Sequence, residues 1–535
     1  MNEKYQPIFI LPEGTDRSSG KNAQNININA AILVADTVRT TLGPKGMDKM
    51  LVDSLGQIIV TNDGVTILNE INFDHPTAKM VVEIAKTQEK EIGDGTTTAV
   101  IIAGELLKKS ELLLSQNIHP TILAKGYRLA SEKALNSLNK IAKKISFDDD
   151  KTLNNIAITA MTGKGAEYTK SKLAEITVKA VKQISEIKND HIEIDISNIK
   201  LEKIIEGSVD DTELIEGIVI DKEKTHPTMP KKIKNSKILL LDSSIEIKST
   251  EIDSKIQINN PSEIQAYLDQ EENLIKSLVN KIISSGANVV LCQKGIDDLA
   301  QYLLAKNGIY AVRRVKRSDL DNLSKATGAR IISNLNDLNK EDLGYAGLVE
   351  EVKSGDEYLT YIKDCKNPKA LTILIRGSSE HIVDEIKRAI EDAIGDVAST
   401  IKQKLIVGGA GSIEIEICKI LNKFADTLSG REQLVVKAFA ESLEIVPRTL
   451  AENAGLDPID VITSLKSSHE KGLIWSGIDV FSGNIINTLD EGIIEPLKIK
   501  TQAITSATEV AIMILRIDDI ISSEKKDQEQ YNMPE

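Results

Sequence analysis

The stretch EIGDGTTTAV, residues 91–100, places two glycines, one aspartate and three threonines directly before the apolar run IIAGELL. A glycine-rich turn at the start of a helix exposes unpaired backbone N–H groups and the positive end of the helix dipole, which together suit a phosphate. Gly93 and Gly95 let the backbone approach such an anion, and the threonines add hydroxyl groups. Asp94 would repel a phosphate unless Mg²⁺ lay between them. The stretch therefore predicts a Mg²⁺–phosphate site, and a plain helix cap explains the same residues about equally well.

Two more glycine turns and a second aspartate extend this pattern. LGPKG, residues 42–46, follows a helix-like segment, and its N–H groups either face a phosphate or simply end that helix. VGGAGS, residues 407–412, is a weak signal when taken alone. Asp63 lies in TNDG, where the ordinary interpretation is the turn of a β-hairpin. The accumulation of glycine turns and spare carboxylates in one chain favours the phosphate interpretation.

The segments around these turns predict a helical first region with one hairpin. Residues 26–38 show apolar side chains at a helical period, and Gly43–Pro44 ends that helix. The apolar positions that show this period are Ile26, Ala30, Leu33, Val34 and Val38. QIIVTNDGVTIL, residues 57–68, has β-branched runs on both sides of Asn-Asp-Gly, which predicts a hairpin with Asp63 in its turn.

The central part of the chain changes to a strand pattern. Between about residues 190 and 370, segments such as HIEIDISNIKLEK and ANVVLCQKG are rich in Val and Ile. One long helix is predicted within this part, beginning at Pro261 and ending before Gly286. After about residue 405 helical patterns return, and the charged end, residues 523–535, is expected to be disordered. Helical ends around a strand-rich centre predict a multidomain α+β protein in which one domain interrupts another.

Composition restricts the partners and the compartment. The 535 residues carry a net charge of −14 with a pI of about 5.2, which argues against nucleic-acid and anionic-membrane partners. No apolar run is long enough to cross a membrane, and the N-terminal run is too short for a signal peptide. Cys292, Cys365 and Cys418 are far apart and form no CxxC, so we expect reduced thiols in a cytoplasmic protein. The scattered histidines predict no zinc site.

Five motifs, taken in order, resemble those of the group II chaperonins. They are TLGPKGMDKMLVD from Thr41, TNDGVTIL from Thr61, GDGTTTAV from Gly93, MTGKGAE from Met161 and IKTQAI from Ile499. The similarity extends from about residue 7 to residue 522, with archaeal thermosome subunits as the nearest group and eukaryotic cytosolic chaperonin subunits next. The motifs occur in the order and at the spacing of the family, which makes the resemblance specific.

The resemblance implies three nested domains of α+β and α/β type. They are a mainly helical equatorial ATPase domain (residues 1–147 and 404–522), a small intermediate hinge domain (148–215 and 368–403) and an apical domain (216–367). It also implies an ATP-dependent chaperone whose identical or sister subunits form two stacked rings of eight or nine members. The implied clients are non-native polypeptides, and the implied cofactors are ATP and Mg²⁺.

The same resemblance assigns roles to residues of the glycine turns. Asp94 matches the Mg²⁺ ligand, and Asp63 and Asp392 match the carboxylates that position the attacking water. The implied nucleotide-binding residues belong to a first loop, to the phosphate site and to a glycine loop near the sugar and base. They are Leu42, Gly43, Pro44, Gly46, Gly95, Thr96, Thr97, Thr98, Gly409, Gly411 and Glu495. Glu495 is implied to contact the ribose.

Asp392 shows what the resemblance adds to the pattern. The expected buried stripe of its helix comprises Ile386, Ala389, Ile390, Ala393 and Val397. Asp392 lies off this stripe, so the pattern alone predicts a solvated surface aspartate. The resemblance implies instead that the intermediate domain brings Asp392 to the nucleotide as it swings down, which would couple hydrolysis to closure.

Two further regions differ from, or add to, the nucleotide motifs. The family's usual Gly-Gly-Gly-Ala-Pro reads Gly-Ala-Gly-Ser-Ile from Gly409, so we expect binding to survive with less freedom for the middle backbone.

The built-in lid of the family matches a protrusion at about residues 247–274. Its helix begins with Ile264 and Leu268, crosses the polar DQEE and resumes with an apolar face at Ile275, Leu278, Val279 and Ile282. That interruption predicts a projecting outer half and a core inner half, and one amphipathic surface helix is the alternative.

Three functions are compatible with the sequence. The first is an ATP-driven folding machine. The second is a ring-forming holdase or scaffold without a productive ATPase, and the third is an unrelated small-molecule kinase that uses glycine turns. The carboxylates Asp63, Asp94 and Asp392 favour the first over the second, and the long strand-rich insertion argues against the third.

Overall fold

The computed structural model describes residues 15–52, 56, 58–165, 168–188, 191–246, 261–355 and 357–523. The chain forms two units, one of Met1–Lys164 with Gln403–Glu535 and the other of Gly165–Lys402. Since the first unit is built from both chain ends, the second unit interrupts it. The expected three domains divide the chain more finely than these two units, and their boundaries stay a prediction.

The N-terminal part of the first unit is mainly helical. Its elements are β1 (Thr15–Ser19), α1 (Gly20–Arg39), β2 (Lys49–Val52), β3 (Ile58–Thr61), α2 (Gly64–Glu70), α3 (Pro76–Glu91), α4 (Thr96–Ser115), α5 (Pro120–Ile141), β4 (Lys143–Lys144) and α6 (Asp150–Met161). Helix α4 is buried on almost every side from Ala99 to Ala103, which explains its continuous apolar sequence. Gly104 lies so close to α1 that a Cβ there would be 2.4 Å from the Ala35 Cβ. Small residues therefore allow α1 and α4 to pack tightly.

The second unit contains most of the strands. Its elements are α7 (Lys170–Ile184), β5 (Glu186–Lys188), β6 (His191–Glu193), β7 (Ile199–Ile204), β8 (Glu213–Ile215), β9 (Ile218–Ile220), β10 (Lys232–Leu241), α8 (Pro261–Ser285), β11 (Val289–Cys292), α9 (Asp298–Lys306), β12 (Tyr310–Val312), α10 (Arg317–Thr327), β13 (Ile331–Ile332), β14 (Gly344–Ser354), β15 (Glu357–Lys363), β16 (Leu371–Arg376) and α11 (Glu380–Gln403), whose last residue belongs to the first unit. The larger sheet has the order β12-β11-β10-β14-β15-β9 with β13 on β10, and the smaller one has the order β7-β16-β8. The predicted strand-rich centre is thus confirmed.

The C-terminal part of the first unit returns to helices. Its elements are β17 (Leu405–Gly408), α12 (Ser412–Ala425), α13 (Arg431–Leu443), α14 (Ile445–Asn453), α15 (Pro458–Glu470), β18 (Ser476–Ile478), β19 (Ile485–Asn487), β20 (Ile494–Pro496), α16 (Leu497–Leu515) and β21 (Asp519–Ser523). One apolar core joins helices from both chain ends, with Leu106, Tyr127 and Phe439 among its fully buried members. Strands β1 and β21 pair antiparallel and bring the two chain ends together. Among the described residues, no helix is long and apolar enough to cross a membrane.

The predicted hairpin around Asp63 is wrong. Strand β3 pairs with β2, with Lys49 opposite Thr61 and Val52 opposite Ile58, and the chain after Asp63 forms α2. The Asp63 carboxylate caps this helix, because its Oδ2 accepts hydrogen bonds from the Thr66 N–H at 2.9 Å and from the Thr66 hydroxyl at 2.6 Å. An aspartate before an apolar run is also an N-cap signal, and here that interpretation is the correct one.

The long helices are confirmed, although not every apolar position of α1 is buried. Helix α1 forms as predicted with Val34 and Val38 buried, whereas Ile26 and Leu33 are 38% and 67% exposed. Helix α8 begins at Pro261, and Ile275, Val279 and Ile282 of its second half are buried in the core of the larger sheet, with Leu278 half-buried. Residues 247–260 of the expected protrusion and the side chains of Ile264 and Leu268 lie outside the described residues, as does the tail from residue 524.

Candidate functional site

The turn from Gly93 to Thr98 has the geometry of an anion site. Gly95 adopts a left-handed backbone, with φ of 79°, and occupies the cap position of α4, where it offers no side chain to the helix N–H groups. The Gln88 amide donates to the Asp94 carbonyl oxygen at 2.9 Å and so fixes the turn. Thr96 and Thr98 are buried, and Thr97 is half-buried. The first backbone N–H groups of α4 are therefore left for an anion.

Asp63 lies beside this turn. A Cβ at the next residue, Gly64, would come within 2.4 Å of the Thr97 hydroxyl oxygen, so only glycine allows this approach. The start of α2 is thereby held against the start of α4. Two carboxylates, Asp63 and Asp94, flank a helix N-terminus, which is an arrangement suited to a cation and a water molecule next to a phosphate.

The first glycine loop, residues 42–46, packs on a fourth loop, residues 161–165. A Cβ at Gly163 would be 2.9 Å from the Pro44 Cα, and the Asn62 amide donates to the Gly163 carbonyl oxygen at 2.5 Å. The other side of the first loop rests on α14, where the Asn453 amide donates to the Leu42 carbonyl oxygen at 2.9 Å. Gly43, with φ of 83°, abuts Leu450 of the same helix, and its carbonyl accepts from the Gly46 N–H. Leu42, Gly43, Pro44 and Gly46 thus form one loop near Asn62, the neighbour of Asp63, and their role in nucleotide binding stays a prediction.

Lys164 is a site residue that the sequence analysis did not single out. Its Nζ lies 3.5 Å from the Asp94 Oδ1, and the two side chains are 21% and 29% exposed. An ammonium group at this position can bind a phosphate as well as the carboxylate. The available signal was the motif MTGKGAE, in which a lysine stands between two glycines, as in many phosphate-binding turns.

The third glycine loop, residues 407–412, lies against Glu495. A Cβ at Gly409 would be 2.7 Å from the Glu495 Oε1, so a larger residue at this position would displace the carboxylate. Gly411 has a left-handed backbone and caps α12. Burial raises the pKa of the Glu495 carboxyl, and the negative charges of Glu414 and Asp94 raise it further, against the opposing effect of Lys500. A Cβ at Gly95 would lie 2.7 Å from the Ile499 Cγ2, so the α4 turn adjoins the first turn of α16, which follows Glu495 in the chain.

Ala410, the middle residue of this loop, adopts a left-handed backbone with φ of 53°, and its carbonyl accepts from the Ile478 N–H at 3.1 Å. We expect Ala410→Gly to raise the free energy of unfolding of the first unit by about 0.5–1 kcal/mol, because relief of the left-handed strain exceeds the added unfolded-state entropy. Thermal unfolding would measure this. Ala454→Gly is the control, since φ of Ala454 is −82°, and it should lower stability. An unchanged or lowered stability of the Ala410 variant would contradict the strain.

Asp392 is the only predicted site residue in the second unit. It lies on α11 and is half-buried, whereas Ile386, Ala389, Ile390, Ala393 and Val397 are all buried, as the stripe predicts. All the other predicted site residues belong to the first unit. The role of Asp392 therefore stays a prediction.

The donor set fits Mg²⁺ held jointly with a phosphate. Within the described ranges, no group of three or more His, Cys, Asp or Glu side chains could hold a metal ion through protein ligands alone. Mg²⁺ ordinarily keeps water molecules and phosphate oxygens and takes only one or two carboxylates, and Asp94 beside the α4 turn provides one. The arrangement can therefore bind a nucleotide triphosphate and stabilise charge during hydrolysis.

Comparisons with known proteins agree over nearly the whole chain. The TCP-1/cpn60 chaperonin family matches residues 34–525. Thermosome subunit beta of Archaeoglobus fulgidus is 59% identical over 98% of this chain and 96% of its own length. A thermosome subunit of Methanopyrus kandleri is 58% identical over 96% of this chain and 95% of its own length. Among solved structures, the open-state monomer of a group II chaperonin from Methanococcoides burtonii is similar with a TM-score of 0.60, at 48% identity, over 80% of this chain and 100% of that one.

Proposed function

The chain belongs to the TCP-1/cpn60 chaperonin family, and on this premise we propose how its residues perform ATP-dependent protein folding. The protein is a group II chaperonin subunit, an ATPase whose hydrolysis serves the folding of other polypeptides. The observation that carries the residue-level proposal is the close approach of Gly64, the neighbour of Asp63, to Thr97 in the first turn of α4, which follows Asp94. A holdase without ATPase is the second candidate, and these two carboxylates disfavour it.

The nucleotide triphosphate binds with its phosphates at the N-terminus of α4. The α4 N–H groups and the first glycine loop hold the phosphate oxygens, and Lys164 adds a positive charge. Asp94 would hold Mg²⁺, which would neutralise charge on the phosphates. The loop at Gly409 and Gly411 borders the sugar and base, and Glu495 accepts hydrogen bonds from the ribose hydroxyls.

Asp63 and Asp392 orient the water that attacks the terminal phosphate. Asp63 is held by its bonds to Thr66, so it can accept a hydrogen bond without moving. Asp392 belongs to the second unit, so its action would make hydrolysis depend on a residue outside the unit that holds Asp63 and Asp94. Hydrolysis would thereby be coupled to a closed state, in which the built-in lid of the family encloses the client.

The subunits assemble into rings that enclose non-native polypeptides in the cytoplasm. Two stacked rings of identical or sister subunits, with equatorial, intermediate and apical domains at the boundaries given above, are part of this proposal. The match to both alpha and beta thermosome subunits of Archaeoglobus fulgidus, at 55% and 59% identity, is compatible with either homo- or hetero-oligomers.

A phosphate-release assay on the purified particles tests the function. We expect release from ATP that stops with EDTA and resumes with excess Mg²⁺, from particles that negative-stain images show as two stacked rings. Intact rings that bind ATP without releasing phosphate would favour the holdase. Phosphate transfer to a small molecule by particles too small to be rings would favour a kinase and overturn the proposal.

A further inference from the structure

A buried ion triad joins the third glycine loop to Glu495. The Lys500 Nζ lies 2.9 Å from the Glu414 Oε1 and 2.7 Å from the Glu495 Oε2. The Lys500 and Glu414 side chains are 6% and 3% exposed, and that of Glu495 is 18% exposed. Burial alone lowers the pKa of Lys500, but its two carboxylate neighbours outweigh that effect and raise it above its usual value. The ammonium group is therefore charged, and it forms ion pairs with both carboxylates.

The triad connects three elements that border the nucleotide site. Glu414 lies in the first turn of α12, three residues after the cap residue Gly411, where the helix dipole favours negative charge. Glu495 lies on β20, and Lys500 lies in the first turn of α16. The glycine loop, the carboxylate and the helix after it are thus fixed to one another through one ammonium group.

The two oxygens of Glu495 have different surroundings. Oε2 receives Lys500, whereas Oε1 faces Gly409, where the missing Cβ would lie 2.7 Å away. On the other carboxylate, the Glu414 Oε2 is buried and has no hydrogen-bond partner among the described residues. Because Glu414 draws Lys500 to one side, Glu495 keeps a charged acceptor oxygen on the side of the glycine loop.

We propose that Glu414 is a positioning residue for nucleotide binding, which keeps Lys500 shared so that Glu495 can accept the ribose hydroxyls. This inference rests on the proposed contact of Glu495 with the ribose. Without the negative charge of Glu414, Lys500 would form its ion pair with Glu495 alone. That pair would weaken the Glu495 carboxylate as a hydrogen-bond acceptor. Glu414 would then matter for nucleotides that carry ribose hydroxyls and not for those that lack them.

The test compares the affinities of the Glu414→Gln particle for ATP and for 2′,3′-dideoxy-ATP. We expect ATP binding to weaken about fivefold, a fraction of the value of a hydrogen bond to a charged group, with binding of the dideoxy analogue unchanged. Glu416→Gln is the matched control. Glu416 is two residues further along α12, is 6% exposed and pairs with His469 instead. This variant should leave the ratio of the two affinities as in the wild type.

The pH dependence provides a second readout that a merely structural role would not move. The charged groups that affect Glu495 are Lys500, Glu414 and Asp94, and the carboxylates of the last two raise its pKa. Protonated Glu495 is a weaker hydrogen-bond acceptor. As the pH is lowered, the ATP affinity of the wild type should therefore begin to fall at a pH above the usual pKa of a glutamate. Removing the charge of Glu414 lowers the pKa of Glu495. The fall of ATP affinity at acid pH, the acid limb of the pH profile, should therefore move to lower pH in Glu414→Gln and not in Glu416→Gln.

Glu495→Gln separates the two levels of the argument. If this variant still prefers ATP over the dideoxy analogue as the wild type does, the ribose contact itself is wrong. If Glu495→Gln loses the preference but Glu414→Gln retains it with an unmoved acid limb, Glu414 only packs in the core and the inference fails. Equal weakening of both nucleotides in Glu414→Gln would also overturn it, because it would indicate a distorted loop.

Discussion

Asp94→Ala is expected to reduce Mg²⁺-dependent ATP hydrolysis by roughly a thousandfold, since a catalytic metal contributes several kcal/mol to transition-state stabilisation. The carboxylate lies beside the open N-terminus of α4, where it would only repel the phosphates unless a cation separated them. Without Asp94, the triphosphate can still contact the N–H groups, but the Mg²⁺ that neutralises its charge loses its protein ligand. Phosphate release at saturating ATP and Mg²⁺ is the measurement.

The substitution should not unfold the first unit, so a loss of activity can be attributed to the site. The Asp94 side chain is 29% exposed, and Gln88 holds the turn through the backbone carbonyl, which alanine retains. The 3.5 Å ion pair with Lys164 is half-exposed and adds little stability. Asp74→Ala, at an exposed aspartate of the same unit, is the control and should hydrolyse ATP at the wild-type rate. Hydrolysis by Asp94→Ala at that same rate would refute the metal assignment.

Periodic patterns and local turn chemistry predicted most of the fold. The apolar stripe of α11, the start of α8 at Pro261 and the strands of the larger sheet all follow from spacing that is set within a few residues. The glycine turns were also predictable as possible phosphate sites, because Gly95 and Gly411 occupy left-handed cap positions that glycine favours.

The errors arose where tertiary packing decides between local alternatives. TNDG is compatible with a hairpin turn and with a helix cap, and burial of Val65, Ile67 and Leu68 in the core favours the helix. On α1, the close approach of Ala35 to Gly104 of α4 fixes which face is buried, and it leaves Ile26 and Leu33 exposed. Neither choice is visible in the residues of the segment itself.

Site residues that act through long-range pairing could not be predicted from spacing. Lys164 joins Asp94 across 70 positions of the chain. Glu414 and Lys500 are likewise brought together only by the packing of α12 and α16, and the sequence analysis singled out neither of them. A charged residue in an apolar helix stretch indicates a buried pair, but the sequence does not identify the partner.

Asp392 is the residue for which the pattern and the resemblance disagree, and a single variant can decide between them. Its half-buried place beside the apolar stripe of α11 suits a solvated aspartate as well as a group that acts in only one conformation. In the first case its loss is without consequence. In the second case nucleotide binding is unaffected and the chemical step fails, because the group contributes only to the transition state.

Asp392→Ala should therefore lower the turnover number about a hundredfold, the lower end of what general acid–base catalysis supplies, while the Kd for ATP changes less than about twofold. Single-turnover phosphate release and equilibrium ATP binding measure the two quantities separately. Glu391→Gln is the matched control, because Glu391 is the preceding residue of α11, is 48% exposed and pairs with Lys387 at 3.6 Å. A large rise in Kd with unchanged turnover would place Asp392 in ground-state binding, and wild-type values for both would make it the surface aspartate that the helical pattern predicts. Since Asp392 belongs to the second unit and Asp94 to the first, the expected split between binding and turnover would show that hydrolysis requires a residue of the interrupting unit.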